Sequence, residues 1–148
     1  MTRYIKKEIT IYRNIDEVFD ALISPSMIKK WWFVNTAIVL PKVGGFYAAA
    51  WGADDDHPDY INFASITEFE RPYKLTLVYE KYYSKEGPLP FDINFNTAFT
   101  LEEAEGKTIL RIMQDGFPVS MAADEFYQGC IEGWDNTFES LKNVLENG

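Results

Sequence analysis

The sequence predicts an α+β fold in which seven antiparallel strands form a sheet beneath one long C-terminal helix. The first observation is a stripe of large apolar side chains between residues 122 and 146, spaced alternately four and three residues apart. The second is a series of six strand-like segments between residues 37 and 117, separated by turn-forming residues. The third is an N-terminal segment that alternates as a strand and leads into two short helical segments.

The N-terminal strand is predicted over residues 3–12, "RYIKKEITIY", because its apolar side chains recur with a period of two. The residues on its apolar side are Ile5, Ile9 and Ile11. Asn14 is a suitable N-cap for a first short helix through residues 15–23. Pro25 suits the first position of a second short helix, which contains Trp31 and Trp32.

The remaining six strands are predicted from alternation and bounding turns. They cover residues 37–40, 44–51, 60–70, 73–83, 91–103 and 107–117. Short turns between consecutive strands indicate an antiparallel meander, one face of which must be covered. Only the last helix is long enough to cover it.

The last helix is predicted over residues 122–146, and its apolar stripe is regular. The stripe consists of Tyr127, Ile131, Trp134, Phe138, Leu141 and Leu145. Two glycines, Gly129 and Gly133, lie inside the helix, where each costs up to about 1 kcal/mol relative to Ala. They either open space for a ligand beside Trp134 or allow close approach of the helix to the sheet.

Composition limits the classes of function. At 148 residues the chain is expected to be a single domain, residues 1–148, and 24 of these residues are aromatic. A net charge of −9 disfavours nucleic acid and anionic membranes as partners. No run reaches the roughly 20 apolar residues that a membrane span requires, so membrane insertion is not expected. The N-terminal residues lack the apolar core of a signal peptide, and we expect a cytoplasmic protein.

The sequence predicts no metal site, no cofactor and no catalytic residue. One His and one Cys exclude an ordinary zinc site, and the acidic residues around His57 lack the spacing of a calcium loop. Hydrolytic triads, phosphate-binding Gly loops and dinucleotide fingerprints are absent. An enzyme of cyclase or hydrolase type remains a minor alternative, using a Tyr or a carboxylate such as Asp92 or Glu80 in an apolar cavity.

Five sequence blocks resemble the domain family named after the activator of the heat-shock-protein-90 ATPase. They are "ITIYRNIDEVFDALISPSMIKKWW", "GGFYAAAW", "ITEFERPYKLTLVY", "KTILRIMQDGF" and "GCIEGWDNTFESLKNVLE", in the family's order. The family belongs to the START-like, or SRPBCC, superfamily. The resemblance implies the helix-grip fold of START and birch-pollen-allergen proteins, in which a curved sheet wraps the last helix around an apolar cavity. It does not imply chaperone activity, because the ATPase-stimulating part of that co-chaperone is a different domain.

The implied cavity directs attention to inward-facing residues of the sheet and the last helix. In the third strand these are either Phe46, Ala48 and Ala50 or Tyr47, Ala49 and Trp51, because alternation alone leaves the face open. Gln114 lies in an apolar strand face, and a buried amide needs a hydrogen-bond partner in protein, water or ligand. The predicted ligand-binding residues are Trp32, Trp51, Phe63, Tyr79, Phe95, Ile112, Gln114, Tyr127, Cys130 and Trp134.

Two functions follow as expectations. The first is binding of a small apolar or aromatic molecule or a lipid, with Gln114 and a Tyr hydroxyl orienting it. The alternative is a partner-binding domain, such as a homodimer, that has a filled core and an exposed aromatic patch around Trp31 and Trp32. Cys130 is expected to be a buried apolar residue, since no cationic neighbour in sequence lowers its pKa.

Overall fold

A computed structural model describes residues 2–92 and 94–148 of the chain, and its elements follow the predicted order. The strands are β1 (Thr2–Ile11), β2 (Thr36–Val39), β3 (Phe46–Trp51), β4 (Tyr60–Glu70), β5 (Lys74–Ser84), β6 (Asn96–Ala104) and β7 (Lys107–Pro118). The helices are α1 (Ile15–Ile23), α2 (Pro25–Trp31) and α3 (Met121–Asn147).

The seven strands form one antiparallel sheet in the order β1-β7-β6-β5-β4-β3-β2. β1 leaves the meander and pairs with β7, so β1 and β2 are the two edge strands. The α+β fold class, the antiparallel sheet and the long C-terminal helix predicted from the sequence are confirmed.

Local chemistry explains where the helices begin. The side chain of Asn14 accepts a hydrogen bond from the backbone N–H of Glu17, which caps α1 as predicted. Pro25 occupies the first turn of α2. The Ser120 hydroxyl accepts a bond from the backbone N–H of Ala123 and so caps α3. α3 contains 27 residues and is therefore about 40 Å long.

The start of β6 was predicted too early. Phe91, Asp92, Asn94 and Phe95 lie outside the ladder, which begins at Asn96 opposite Asp115, and Ile93 lies outside the described residues. The rings of Phe91 and Phe95 instead pack against Phe126 on α3, with centroids 5.5 Å and 5.7 Å from its ring. Because of this packing, Phe91 and Phe95 contact the first turns of α3 and do not extend β6.

The core lies between the concave face of the sheet and the apolar stripe of α3. Trp134, Phe138, Leu141 and Leu145 are buried, whereas Tyr127 and Ile131 are half-buried. On β3 the second alternative is correct, because Tyr47 and Ala49 are buried and Trp51 faces the same side.

Candidate ligand-binding site

A pocket of about 550 Å³ lies between the sheet and the first half of α3. Its walls come from the segment after α2, from β3, β4, β5 and β7, and from α3. The lining residues are Trp32, Phe33, Trp51, Tyr60, Asn62, Tyr79, Tyr82, Phe95, Gln114, Phe126, Gly129, Cys130, Gly133, Trp134 and Thr137. The volume falls within the range of roughly 300–1,000 Å³ that small-molecule sites occupy.

One wall of the pocket is built from tryptophans. The ring of Trp32 stacks on Trp134 at a centroid distance of 5.9 Å and meets the edge of Trp51 at 5.1 Å. Trp31 stacks behind Trp32 at 5.5 Å and is fully buried. All four tryptophans of the chain therefore belong to one cluster, and three of them line the pocket.

Hydrogen bonds hold these rings in place. The indole Nε1 of Trp51 donates to the backbone oxygen of Trp32 at 3.0 Å. The indole Nε1 of Trp134 donates to Oε1 of Gln114 at 2.8 Å, and Nε2 of Gln114 donates to the Thr97 hydroxyl at 2.8 Å. Gln114 is only 5% exposed, so the amide that the sequence singled out is satisfied within the protein and orients Trp134.

Phenylalanines and a tyrosine form the opposite wall. Phe126 of α3 stacks on Phe95 with an interplanar angle of 10°, and the ring of Tyr82 meets Phe126 edge-on at 6.2 Å. Phe117 packs behind Phe95 at 4.6 Å. A flat ring system entering the pocket would therefore meet aromatic faces on two sides.

None of the lining residues among those described carries a formal charge at neutral pH. Burial raises the pKa of Tyr79, and a hydrogen bond with Thr97 offsets only part of that rise. Burial also raises the pKa of the Cys130 thiol to about 12 and raises the pKa of Tyr82. Asp92 and Glu80, the carboxylates considered for catalysis, are exposed and do not line the pocket. The described lining thus offers hydrogen-bonding groups, and the phenols of Tyr79 and Tyr82 and the thiol of Cys130 are protonated at pH 7.

Two features shape the mouth of the pocket. Phe33 has a positive φ of 59°, a conformation that is strained for a bulky residue, and its side chain is 70% exposed. Gly129 and Gly133 lie one turn apart on α3, and a Cβ added at either position would meet no atom within 4 Å. The two glycines therefore face open space, and the alternative of close packing between helix and sheet is wrong.

The structure brings seven of the ten predicted site residues to this pocket. They are Trp32, Trp51, Tyr79, Phe95, Gln114, Cys130 and Trp134. Their contact with a ligand stays a prediction.

The other three predicted residues lie elsewhere. Phe63 points away from α3 and stacks on Phe46 at 5.8 Å, because the inward positions of β4 are its neighbours Asn62 and Ala64. Ile112 is 2% exposed and belongs to the packed core. Tyr127 turns toward β1, where its hydroxyl donates to the backbone oxygen of Tyr4 and Arg3 lies over its ring.

Sequence reasoning missed several lining residues. Tyr82 faces inward because a register shift in the β4–β5 ladder lets both Tyr79 and Tyr82 point to the same side. Phe126 and Thr137 lie on the same face of α3 as Cys130 and Trp134, at spacings of three and four residues, and that spacing was a usable signal.

The expected aromatic patch around Trp31 and Trp32 is not exposed, because Trp31 is 1% exposed and Trp32 is half-buried against Trp134.

The acidic loop is a solvated turn, in which the His57 ring contacts exposed Asp54 and this hydrogen bond lowers the pKa of the Asp54 carboxyl. In residues 2–92 and 94–148 no group of three or more His, Cys, Asp or Glu side chains is arranged to hold a metal ion. No helix within these ranges is long and apolar enough to cross a membrane.

Comparison with known proteins decides the family. The family model described as "Activator of Hsp90 ATPase homolog 1-like protein" matches residues 13–146. The chain belongs to this family. No curated protein sequence matches the chain. The family assignment rests on nearly the whole fold, including every strand after β1 and all three helices.

Solved structures share the fold of this chain. Protein MLL2253 from Mesorhizobium loti is 24% identical, with a TM-score of 0.78 and 97% of each chain covered. The Aha1 dimer from Colwellia psychrerythraea is 19% identical, with a TM-score of 0.76 and coverage of 99% and 98%. Protein CV1439 from Chromobacterium violaceum is 18% identical, with a TM-score of 0.74 and 99% of each chain covered. At these identities the likeness concerns the fold alone.

Proposed function

We propose that this protein binds a small, uncharged, aromatic or apolar molecule in the pocket between the sheet and α3. The observation that carries the proposal is a pocket of about 550 Å³ with aromatic rings on two sides and no charged lining side chain among the described residues. Aromatic faces bind flat ring systems through area burial and stacking. The pocket lies between the sheet and the part of α3 from Phe126 to Thr137, which supports the proposal.

The absence of charge from the described lining supports a neutral ligand. Moving an ionised group out of water into an apolar site is costly unless an opposite charge or several hydrogen bonds receive it. No Lys, Arg, Asp or Glu side chain is placed to do this among the lining residues that the structure describes. Anionic and cationic analogues of a bound molecule should therefore bind much more weakly than the neutral compound.

Polar side chains remain that can orient a neutral ligand. Asn62 is half-buried in the pocket wall opposite Tyr82, its partner in the β4–β5 ladder. An amide supplies both donors and an acceptor, and a phenol supplies one of each. Gln114 is committed to Trp134 and Thr97, so Asn62 and the Tyr82 hydroxyl take the orienting role that the sequence suggested for Gln114.

Tryptophan fluorescence tests this proposal directly, because all four tryptophans lie in the cluster beside the pocket. We would titrate the protein with N-phenyl-naphthylamine and, separately, with its sulfonated relative anilinonaphthalene sulfonate. The expected result is quenching of tryptophan emission by the neutral probe and an affinity for the anionic probe at least about tenfold weaker.

A matched pair of leucine variants locates the binding. Gly133→Leu places a side chain into the open space at the mouth and should weaken binding of the neutral probe at least about tenfold. Gln128→Leu adds the same side chain at an exposed position of α3 outside the lining and should bind as the wild type does. No quenching by either probe, or equal loss in both variants, would refute the proposed site.

A further inference from the structure

The side of β2–β4 that faces away from α3 carries a group of apolar side chains. Cross-strand pairing places Ile38 beside Ala48 and Ala48 beside Phe63 on that side, and the next row contains Ala50 paired with Ile61. The rings of Phe46 and Phe63 stack there at 5.8 Å. We call these six residues, Ile38, Phe46, Ala48, Ala50, Ile61 and Phe63, the outer face.

The rest of the sheet's outer side has the opposite character. On β1, β6 and β7 it carries charged residues, with Arg111 forming ion pairs with Glu8 at 2.7 Å and with Glu102 at 3.0 Å. β5 is also charged on this side, because exposed Lys81 lies opposite Phe63 and Lys74 forms an ion pair with Glu68 at 3.2 Å. The apolar character is therefore confined to β2, β3 and the first part of β4. A contiguous exposed apolar patch of this kind marks an interaction surface in a protein that carries a net charge of −9.

We propose that the outer face is the contact surface for a second copy of this chain, related to the first by a two-fold axis that lies in the contact plane and runs perpendicular to the strands. Two negatively charged copies repel each other over most of their surfaces, so an uncharged patch is where they can approach most closely. A two-fold axis places the same apolar patch on both sides of the contact, which makes it self-complementary.

Charge at the two ends of the outer face supports this arrangement. The loop between β3 and β4 at one end carries exposed Asp54, Asp55 and Asp56. The turn between β2 and β3 at the other end carries exposed Lys42. The proposed two-fold axis brings the lysine turn of one copy toward the acidic loop of the other, whereas a parallel arrangement would bring the two acidic loops together.

Exposed apolar side chains lie on the outer face and directly beside it. Ile38 is 55% exposed, and the neighbouring side chains of Leu40 and Tyr83 are 42% and 50% exposed. The half-buried rings and side chains of Phe46, Ile61 and Phe63 extend this apolar surface across β3 and β4. Ala48 and Ala50 near its centre lack long side chains and allow two sheets to pack about 10 Å apart.

Sedimentation velocity of the full chain tests the proposal over protein concentrations from about 5 to about 500 µM. The wild type is expected to shift from monomer to dimer as concentration rises. Ile38→Glu and Ala48→Glu each place two like charges in the contact and should weaken the dimer at least about tenfold. Met121→Glu is the matched control, since Met121 is 92% exposed on α3 and its replacement should leave the dimer intact.

The two glutamate variants differ in their risk to folding, because Ala48→Glu removes no large side chain from the monomer. Unchanged tryptophan emission and far-UV circular dichroism establish that a variant is folded, so loss of the dimer in a folded variant supports the proposal. A wild type that stays monomeric up to the highest concentration would overturn it, as would a dimer that both variants preserve. If neither variant folds, hydroxyl-radical footprinting of the wild type decides: concentration-dependent protection of Ile38 and Phe63 supports the interface, and equal labelling overturns it.

Discussion

At the scale of single residues, the pocket depends on one buried amide. Gln114 accepts from the indole of Trp134 and donates to Thr97, so a side chain from β7 fixes a ring on α3 and a hydroxyl on β6. A polar group in an apolar core is expensive to leave unpaired, and removing one partner costs more than removing both. The amide therefore determines the position of the tryptophan wall as well as contributing to stability.

We expect Gln114→Leu to lower the free energy of unfolding by about 1–3 kcal/mol, because it leaves the buried Trp134 indole N–H and the Thr97 hydroxyl without this partner. Urea denaturation followed by tryptophan emission measures the change. In a Trp134→Phe background, where the indole N–H is already gone, the same substitution should cost clearly less. An equal cost in both backgrounds would show that the hydrogen bond does not carry the effect.

Phe33 shows how a single residue can shape the mouth of the pocket. A positive φ costs a non-glycine residue on the order of 1–2 kcal/mol. The Phe33 ring is 70% exposed, so its burial offsets little of this cost. Such strain is typical of positions whose side chain is needed at a particular place. Phe33 directly follows Trp32, so this backbone turn also ends the segment that supplies the tryptophan wall.

At the scale of elements, the sequence predicted α3 and most strands well because their apolar patterns repeat over many residues. In α3, the apolar stripe that ends in Leu145 indicates one buried side at several positions. In β1, the alternation of Ile5, Ile9 and Ile11 does the same. The direction of Phe63 could not be predicted in this way. Residues on both sides of β4 are apolar, with Ile61 and Phe63 outward and Ala64 and Ile66 inward, so alternation carries no information about the face.

The two alternatives for the glycines of α3 could not be separated by sequence, since both need a residue without a side chain. The structure separates them because Gly129 and Gly133 are exposed and a Cβ at either position meets nothing within 4 Å. The packing of α3 therefore does not require glycine. Both glycines line the pocket.

The Gly129→Ala and Gly133→Ala variants should each raise the free energy of unfolding by up to about 1 kcal/mol, because Ala restricts the unfolded chain and favours the helix without any clash. Thermal and urea denaturation measure this gain. Asn136→Ala, at an exposed position of the same helix, is the comparison for propensity alone and should give a smaller gain. A loss of stability in either glycine variant would mean that the space beside α3 is filled in solution.

At the scale of the whole molecule, the sequence predicted the architecture better than the site. The fold depends on the pattern of apolar and polar residues at many positions, which assigns their side chains to the core or to solvent. An error at a few positions, such as the early start of β6, does not change the predicted fold. The pocket depends on a few local events, including the register shift that turns Tyr82 inward and the backbone turn at Phe33. These events arise from tertiary packing and leave no periodic signal in the sequence.

The stability of the whole molecule should fall in alkaline solution because several buried acids must stay protonated in the folded state. Burial raises the pKa of Tyr47 and Tyr79 well above their usual value, and it raises that of Cys130 from 9.0 to about 12. Below pH 9 both folded and unfolded chains keep these protons, so the stabilisation is fully present. As pH rises further, the unfolded chain releases protons that the folded chain retains, and stability is lost.

We therefore expect the free energy of unfolding to decrease above about pH 9, with a slope approaching 1.4 kcal/mol per pH unit for each retained proton. Urea denaturation at a series of pH values, under reducing conditions, measures the slope. Cys130→Ala removes one of the retained protons without adding a polar group, so its profile should be shallower than that of the wild type between pH 9 and about 12. Parallel profiles for the two proteins would show that the Cys130 thiol reaches solvent through the pocket and ionises as freely in the folded chain as in the unfolded one.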